Sequence, residues 1–68
     1  MSVYKVIEII GSSEKSWEDA AKRAVETSAK SLKDLRIAEV KELDMRVEKN
    51  KVVEYRVKMR VSFKYKPE

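Results

Sequence analysis

Thirteen residues in a row, Val53 to Tyr65, alternate between apolar and polar without a break. The odd positions are Val53, Tyr55, Val57, Met59, Val61, Phe63 and Tyr65, and the even ones are Glu54, Arg56, Lys58, Arg60, Ser62 and Lys64. A side-chain period of two gives a β-strand with one dry face and one wet face. In a chain of 68 residues a strand of this length is hard to cover, and the mismatch points towards assembly.

One domain is expected, spanning residues 1–68. A domain this small is marginal alone and is commonly supported by disulfides, a structural metal or oligomerisation. The sequence has no cysteine and no histidine, which removes disulfides, thiolate or imidazole metal sites, and nucleophilic triads built on Cys or His. Oligomerisation is left as the natural support. The net charge of +4 permits anionic partners without requiring them. Neither a charged leader ahead of an apolar stretch nor an apolar run of membrane-spanning length is visible, so a cytoplasmic location with no membrane contact is expected.

Val3 to Ile10, rich in β-branched residues, reads as a first strand. Gly11, the sole glycine, is expected where that strand turns, because glycine tolerates positive φ. Ser16 is expected to cap a helix running from Trp17 to about Lys33, with Asp19 closing a short form of the capping box. Glu18 and Asp19 suit the positive helix start, and Lys30 and Lys33 suit its far end. Trp17, Ala20, Ala21, Ala24, Ser28 and Leu32 recur at helical spacing, a mostly alanine stripe that can lie close on a sheet.

Leu35 to Glu48 reads as a second strand whose phase changes. Ala38 and Val40 form the buried set before the change, and Leu43, Met45 and Val47 follow after it, so a β-bulge is expected near Lys41–Leu43. Lys49-Asn50-Lys51 is then the hairpin loop, with Asn50 left-handed. A register symmetric about Asn50 sets Asp44 opposite Arg56, Arg46 opposite Glu54 and Glu42 opposite Lys58, three pairs of opposite sign, as cross-strand neighbours prefer. The element order is β-α-β-β, an α+β fold, with Pro67 and Glu68 as a frayed end.

A strand of about fourteen residues spans about 46 Å, whereas a helix of about seventeen spans about 25 Å. The helix can shield about half of the hairpin's dry face. Either Met59, Val61, Phe63 and Tyr65 or the Val47–Val53 end would be left bare in a monomer, and bare apolar faces of that size usually meet another chain. A homo-oligomer built on the hairpin follows.

With these elements placed, the chain resembles the dodecins, small β-α-β-β proteins in which a three-stranded antiparallel sheet wraps around one helix and twelve copies form a hollow sphere. The resemblance spans nearly the whole chain. It is carried by Val3-Tyr4-Lys5, Ile9-Ile10-Gly11-Ser12-Ser13-Glu14, the alanine-rich helix closing on Leu32, Ala38-Glu39-Val40, Glu54-Tyr55 and Val61-Ser62-Phe63. Flavin-binding dodecins stack a second-strand Trp on the isoalloxazine ring and bond its polar edge with a third-strand Gln. Alignment through Ala38-Glu39-Val40 puts Ile37 at the Trp position, and alignment through Glu54-Tyr55 puts Arg56 at the Gln position. Isoleucine offers no aromatic face, and arginine only donates. Ser2-Val3-Tyr4-Lys5-Val6-Ile7, Ser16-Trp17-Glu18, Asp44-Met45 and Tyr55-Arg56 are similar to the non-flavin branch named calcium dodecins. Some dodecins also bind coenzyme A or flavin phosphates through a basic residue after the bulge and another ending the last strand; those positions hold Asp44 and Lys64 here.

The resemblance thus implies ligand-pocket equivalents at Ile37, Arg56, Glu39 and Lys64. Ile37 is expected to point away from the helix, either as a pocket wall or as packing across a two-fold axis. Arg56 either serves a ligand or pairs with Asp44. Glu8, Glu39, Glu42, Asp44 and Glu48 are oxygen donors that symmetry could converge, with Glu8, Glu42 and Asp44 as the metal candidates; calcium takes six to eight oxygens, more than one strand offers. Trp17 is expected in core or interface packing. The implied function is a non-catalytic binding and storage assembly, a homododecamer that sequesters a small ligand or ion of calcium or flavin type. The alternatives are a structural or partner-binding shell without bound flavin and, as a lesser one, weak nucleic-acid binding through the basic stripe Arg56, Lys58, Arg60, Lys64 and Lys66. A base-stacking sheet needs aromatics on the same face, whereas Tyr55, Phe63 and Tyr65 lie on the other, so the stripe fits a charged surface or cavity lining better.

Overall fold

The computed structural model describes residues 2–65; Lys66 of the basic stripe and the expected frayed end at Pro67 and Glu68 lie outside the described residues. The elements are β1 (Tyr4–Ser13), α1 (Trp17–Ser28), β2 (Leu35–Glu48) and β3 (Lys51–Lys64). The sheet order is β1-β3-β2 with both pairings antiparallel. The alternating segment is therefore the central strand of the expected α+β fold. Its odd residues Val57, Met59 and Val61 are buried with Ala20 of α1, and Ile9, Trp17, Ala21, Ala24 and Val25 pack around Ala20, Val57 and Met59. Its even residues Arg56, Lys58 and Arg60 are exposed on the opposite, outer face.

Gly11 does not turn the chain. It lies inside β1, which continues to Ser13, and its φ is not positive. What requires glycine is the helix: a Cβ on Gly11 would sit 2.7 Å from the Ala24 Cβ and 3.2 Å from the Ala20 carbonyl carbon. The alanine stripe and the glycine together let α1 settle directly on β1 and β3.

Ser16 caps α1 as expected, its Oγ accepting from the Asp19 N–H at 3.0 Å. The Asp19 carboxylate accepts instead from the Ser13 hydroxyl at 2.6 Å and pairs with Arg23 at 2.8 Å. The helix stops at Ser28, well short of Lys33. Thr27 and Ser28 are poor helix formers, and the chain tightens there: Lys30 N–H donates to the Thr27 carbonyl and Ser31 N–H to the Ser28 carbonyl, both at 3.1 Å, a 3₁₀-type closure of the last carbonyls. Lys30, Leu32 and Lys33 thus lie beyond the helix, and no basic residue occupies its last turn. Asp34, at φ 60°, redirects the chain into β2.

The hairpin keeps the expected register with a different loop. Asp44 faces Arg56, Arg46 faces Glu54 and Glu42 faces Lys58. The loop has two residues, Lys49 and Asn50, both left-handed (φ 52° and 63°), and Lys51 is already in β3 opposite Glu48. Two left-handed residues make the turn whose twist matches a hairpin. The register shift between Arg46 and Val47 absorbs the one-residue difference. A second shift between Val40 and Glu42 is the expected bulge, leaving Lys41 unpaired, and a third lies between Leu35 and Ile37.

Ala38 and Val40 face inwards, opposite Val61 and Met59, yet they are exposed. The reason is coverage: α1 lies over β1 and β3 and scarcely reaches β2. Twelve helical residues span about 18 Å, against about 46 Å for each fourteen-residue strand of the hairpin. Of the two stretches that could have been left bare, Met59 and Val61 are covered and the hairpin tip is open. Val40, Leu43, Met45, Val47 and Val52 are each 44–56% exposed.

Candidate functional site

The outer face is read in rows across the three strands. Val6, Ser62 and Ile37 form one row, and Glu8, Arg60 and Glu39 the next. Ile10, Lys58 and Glu42 follow, then Ser12, Arg56 and Asp44. Ile37 points away from the helix as expected and is 67% exposed. With Val6, Glu39, Arg60 and Ser62 it lines a shallow hollow of about 200 Å³, an aliphatic floor with one cation and one anion at the rim. Larger hollows lie elsewhere: one of about 460 Å³ lies between β1 and α1 beside Gly11, Ala20, Arg23 and Ala24.

Arg56 is in the next part of the sheet. Six residues separate it from Ser62, the partner of Ile37, which is about 20 Å along a strand. One chain therefore does not bring Ile37 and Arg56 together. Arg56 is held in a two-pronged fork, Nε to Asp44 Oδ1 at 2.8 Å and an outer guanidinium nitrogen to Asp44 Oδ2 at 2.9 Å, the geometry that makes arginine–carboxylate pairs directional. The hydrogen bond from Arg56, aided by the charges of Arg56 and Lys58, holds the Asp44 carboxyl below the usual carboxylate range, while partial desolvation opposes it. The same bond raises the Arg56 guanidinium further. Beside this fork Lys58 pairs with Glu42 at 3.3 Å. Arg46 pairs with Glu54 at 3.2 Å and also with Glu48.

Glu39 faces Arg60 but its nearest cation is Lys41, at 4.0 Å. Glu8 faces Arg60 from the other side. Lys64 is opposite Tyr4 and half-buried, and its N–H donates to the Asp34 carbonyl at 3.1 Å. Among the described residues no three carboxylates gather into a group that could hold a metal ion. The positions expected to hold a stacked flavin carry the aliphatic Ile37 and an Arg56 already forked to Asp44, residues that do not fit one.

Several participants escaped the sequence reading. The β1–β3 register brings Val6 to the hollow and places Tyr4, an exposed aromatic, on the same face as the basic stripe. Trp17 packs against the core as expected, edge-on to Tyr55 with centroids 5.1 Å apart, and its Nε1–H also donates to the Asp44 carbonyl at 3.0 Å. Asp44 thus holds Trp17 with its backbone and Arg56 with its side chain. The alternation of β1 could have revealed Val6 and Tyr4; nothing periodic links Trp17 to a residue 27 positions on.

Comparison with known proteins agrees along the whole chain. A protein-family model described as Dodecin matches residues 3–66. The chain is 52% identical over 67 residues to a curated protein named calcium dodecin from Mycobacterium tuberculosis, covering 98% of this chain and 94% of that one. The solved structure of that organism's calcium dodecin, described as calcium chelating with a novel calcium-binding site, superposes with a TM-score of 0.86, covering 97% of this chain and 94% of that one. An arginine-to-alanine variant of the Thermus thermophilus dodecin matches at 34% identity and a TM-score of 0.92, with complete coverage of both chains.

Proposed function

This chain belongs to the dodecin family, and we propose that it is a calcium-type dodecin: a non-catalytic protein that assembles into a hollow dodecamer and takes up an ion or small ligand between its copies, without stacking flavin. The observation that carries this reading is the 52% identity to calcium dodecin across 98% of the chain. Two features of the fold support it. The helix leaves the inner face of β2 bare, which favours burial against further copies. The carboxylates of the outer face are spread over β1 and β2 in each chain, so a cation needing six to eight oxygens would draw them from more than one copy. Glu8, for which no ion pair within 4 Å is found among the described residues, is freer to contribute than Glu42 or Asp44, which are each paired. Ile37 and Glu39 with Arg60, together with Arg56 and Lys64, would line the small-ligand surfaces. Nothing in the arrangement favours catalysis: the sequence holds no histidine and no cysteine, and the close carboxylate–cation pairs are cross-strand or helix-surface ion pairs. No helix among the described residues is long and apolar enough to cross a membrane, and we place the assembly in the cytoplasm. One aromatic beside the basic stripe, Tyr4, does not make a base-stacking platform, so nucleic acid is not a proposed partner.

Calorimetric titration of the chelator-treated protein with calcium tests the reading. Saturable binding by a colourless protein supports it. Absence of calcium binding leaves an inert shell, and a yellow preparation with quenched flavin fluorescence overturns it.

A further inference from the structure

The outer face carries a row of cations on one strand and a matching row of carboxylates on the next. Arg56 and Lys58 stand two residues apart on the same side of β3, about 7 Å from each other, a spacing suited to a phosphate chain. Each is answered from β2: Arg56 by the two contacts of Asp44 at 2.8 and 2.9 Å, Lys58 by Glu42 at 3.3 Å. We propose that Asp44 and Glu42 are specificity-determining residues, built-in counter-anions that keep the Arg56–Lys58 pair closed to soluble phosphate-bearing polyanions.

Anions compete for these two cations. Asp44 and Glu42 are tethered beside their cations by a fixed register, so they compete as anions at an effective concentration on the order of millimolar or higher. An incoming polyanion has to displace a forked carboxylate and leave it uncompensated beside the bound phosphate. Asp44, like any exposed aspartate, is ionised at neutral pH, and its two contacts to Arg56 keep that charge in place beside the guanidinium. The looser Glu42–Lys58 pair, with a single contact at 3.3 Å, is the weaker half of the closure. This reading concerns the hairpin's own ion pairs, and because Asp44 and Glu42 are also candidate calcium ligands, the test is made with calcium removed by chelator.

Inorganic tripolyphosphate is the probe, titrated calorimetrically at low ionic strength into the assembled protein. The double variant Asp44→Asn/Glu42→Gln should bind it about tenfold more tightly than the parent, with the gain shrinking as salt is added. A control variant, Glu14→Gln/Glu26→Gln, changes the net charge of +4 by the same two units through exposed residues that lie off the sheet's outer face. An equal gain in the control, or no gain in the double variant, overturns the proposal. Adding Arg56→Gln to the double variant should remove most of the gain; if the gain persists, the proposal is again overturned. Should loss of the fork unfold the double variant, Glu42→Gln alone carries the same comparison against Glu14→Gln with a smaller expected gain, and absence of that gain counts against it.

Discussion

Replacing Gly11 with alanine perturbs the contact on which the seating of the helix depends. The new Cβ would lie 2.7 Å from the Ala24 Cβ and well inside contact distance of the Ala20 carbonyl oxygen. Ordinary carbon–carbon contact is about 3.5 Å, so α1 would have to back away from β1 by about 0.8 Å. A gap of that size forfeits roughly a quarter to a half of the dispersion energy of each contact it opens, here those of Ala20 with Val57 and Met59. With the usual cost of overpacking, the loss should reach about 3 kcal/mol. A chain of this length has only about 3–10 kcal/mol in reserve as an isolated domain. The assay is thermal unfolding followed by circular dichroism and Trp17 emission at fixed protein concentration, with an expected drop of about 12 °C or more in midpoint. Trp17 is the right reporter because it lies one turn before Ala20 on α1 and packs edge-on against Tyr55 of β3. A double variant that also changes Ala24 to glycine should recover little, because the closest clash is with backbone. A midpoint within about 2 °C of the parent, or full rescue by Ala24→Gly, would refute the close-approach reasoning.

Three further outcomes follow from the local structure. Changing Lys49-Asn50 to Asn-Gly supplies the residues that a turn with two positive φ values prefers, and should stabilise the hairpin by about 1 kcal/mol in chemical denaturation. Ser16→Ala removes the acceptor for the Asp19 N–H and should cost about 1 kcal/mol by the same measurement. Asp44 has a depressed folded pKa, so its contribution to stability is complete above about pH 5 and fades as pH falls below the unfolded value of about 3.9 towards the folded one. The stability difference between the parent and Asp44→Asn should therefore narrow as pH falls through that window, and a difference that stays constant down to strongly acid pH would contradict the assignment.

Where the sequence was informative, the reason was periodicity. The alternation of β3, the change of phase in β2 and the three charge pairs across the hairpin follow from a period of two, and each is present. The misread features share a different cause, contact between distant segments. Gly11 looked like a turn residue because nothing local reveals a helix lying against it. Lys30 and Lys33 looked like the end of the helix because the stripe runs on to Leu32, while the chain had already tightened at Thr27 and Ser28. Ala38 and Val40 looked buried because their face is the inner one, but facing inwards and being covered differ when the helix is only twelve residues long. At the site, Ile37 and the Asp44–Arg56 pair could be read from register. Val6 and Tyr4 join through β1, and the Trp17 bond to the Asp44 carbonyl needs the third dimension.

In the proposed assembly, a hairpin too long for its helix is completed by further copies of the same chain. The most direct test is the molar mass of the purified protein by size-exclusion chromatography with light scattering. Twelve chains of 8.0 kDa give a single species of about 96 kDa, and the exposed Val40, Leu43, Met45, Val47 and Val52 should become protected from solvent in that species. A stable monomer of 8.0 kDa with the same circular dichroism would contradict completion by further copies.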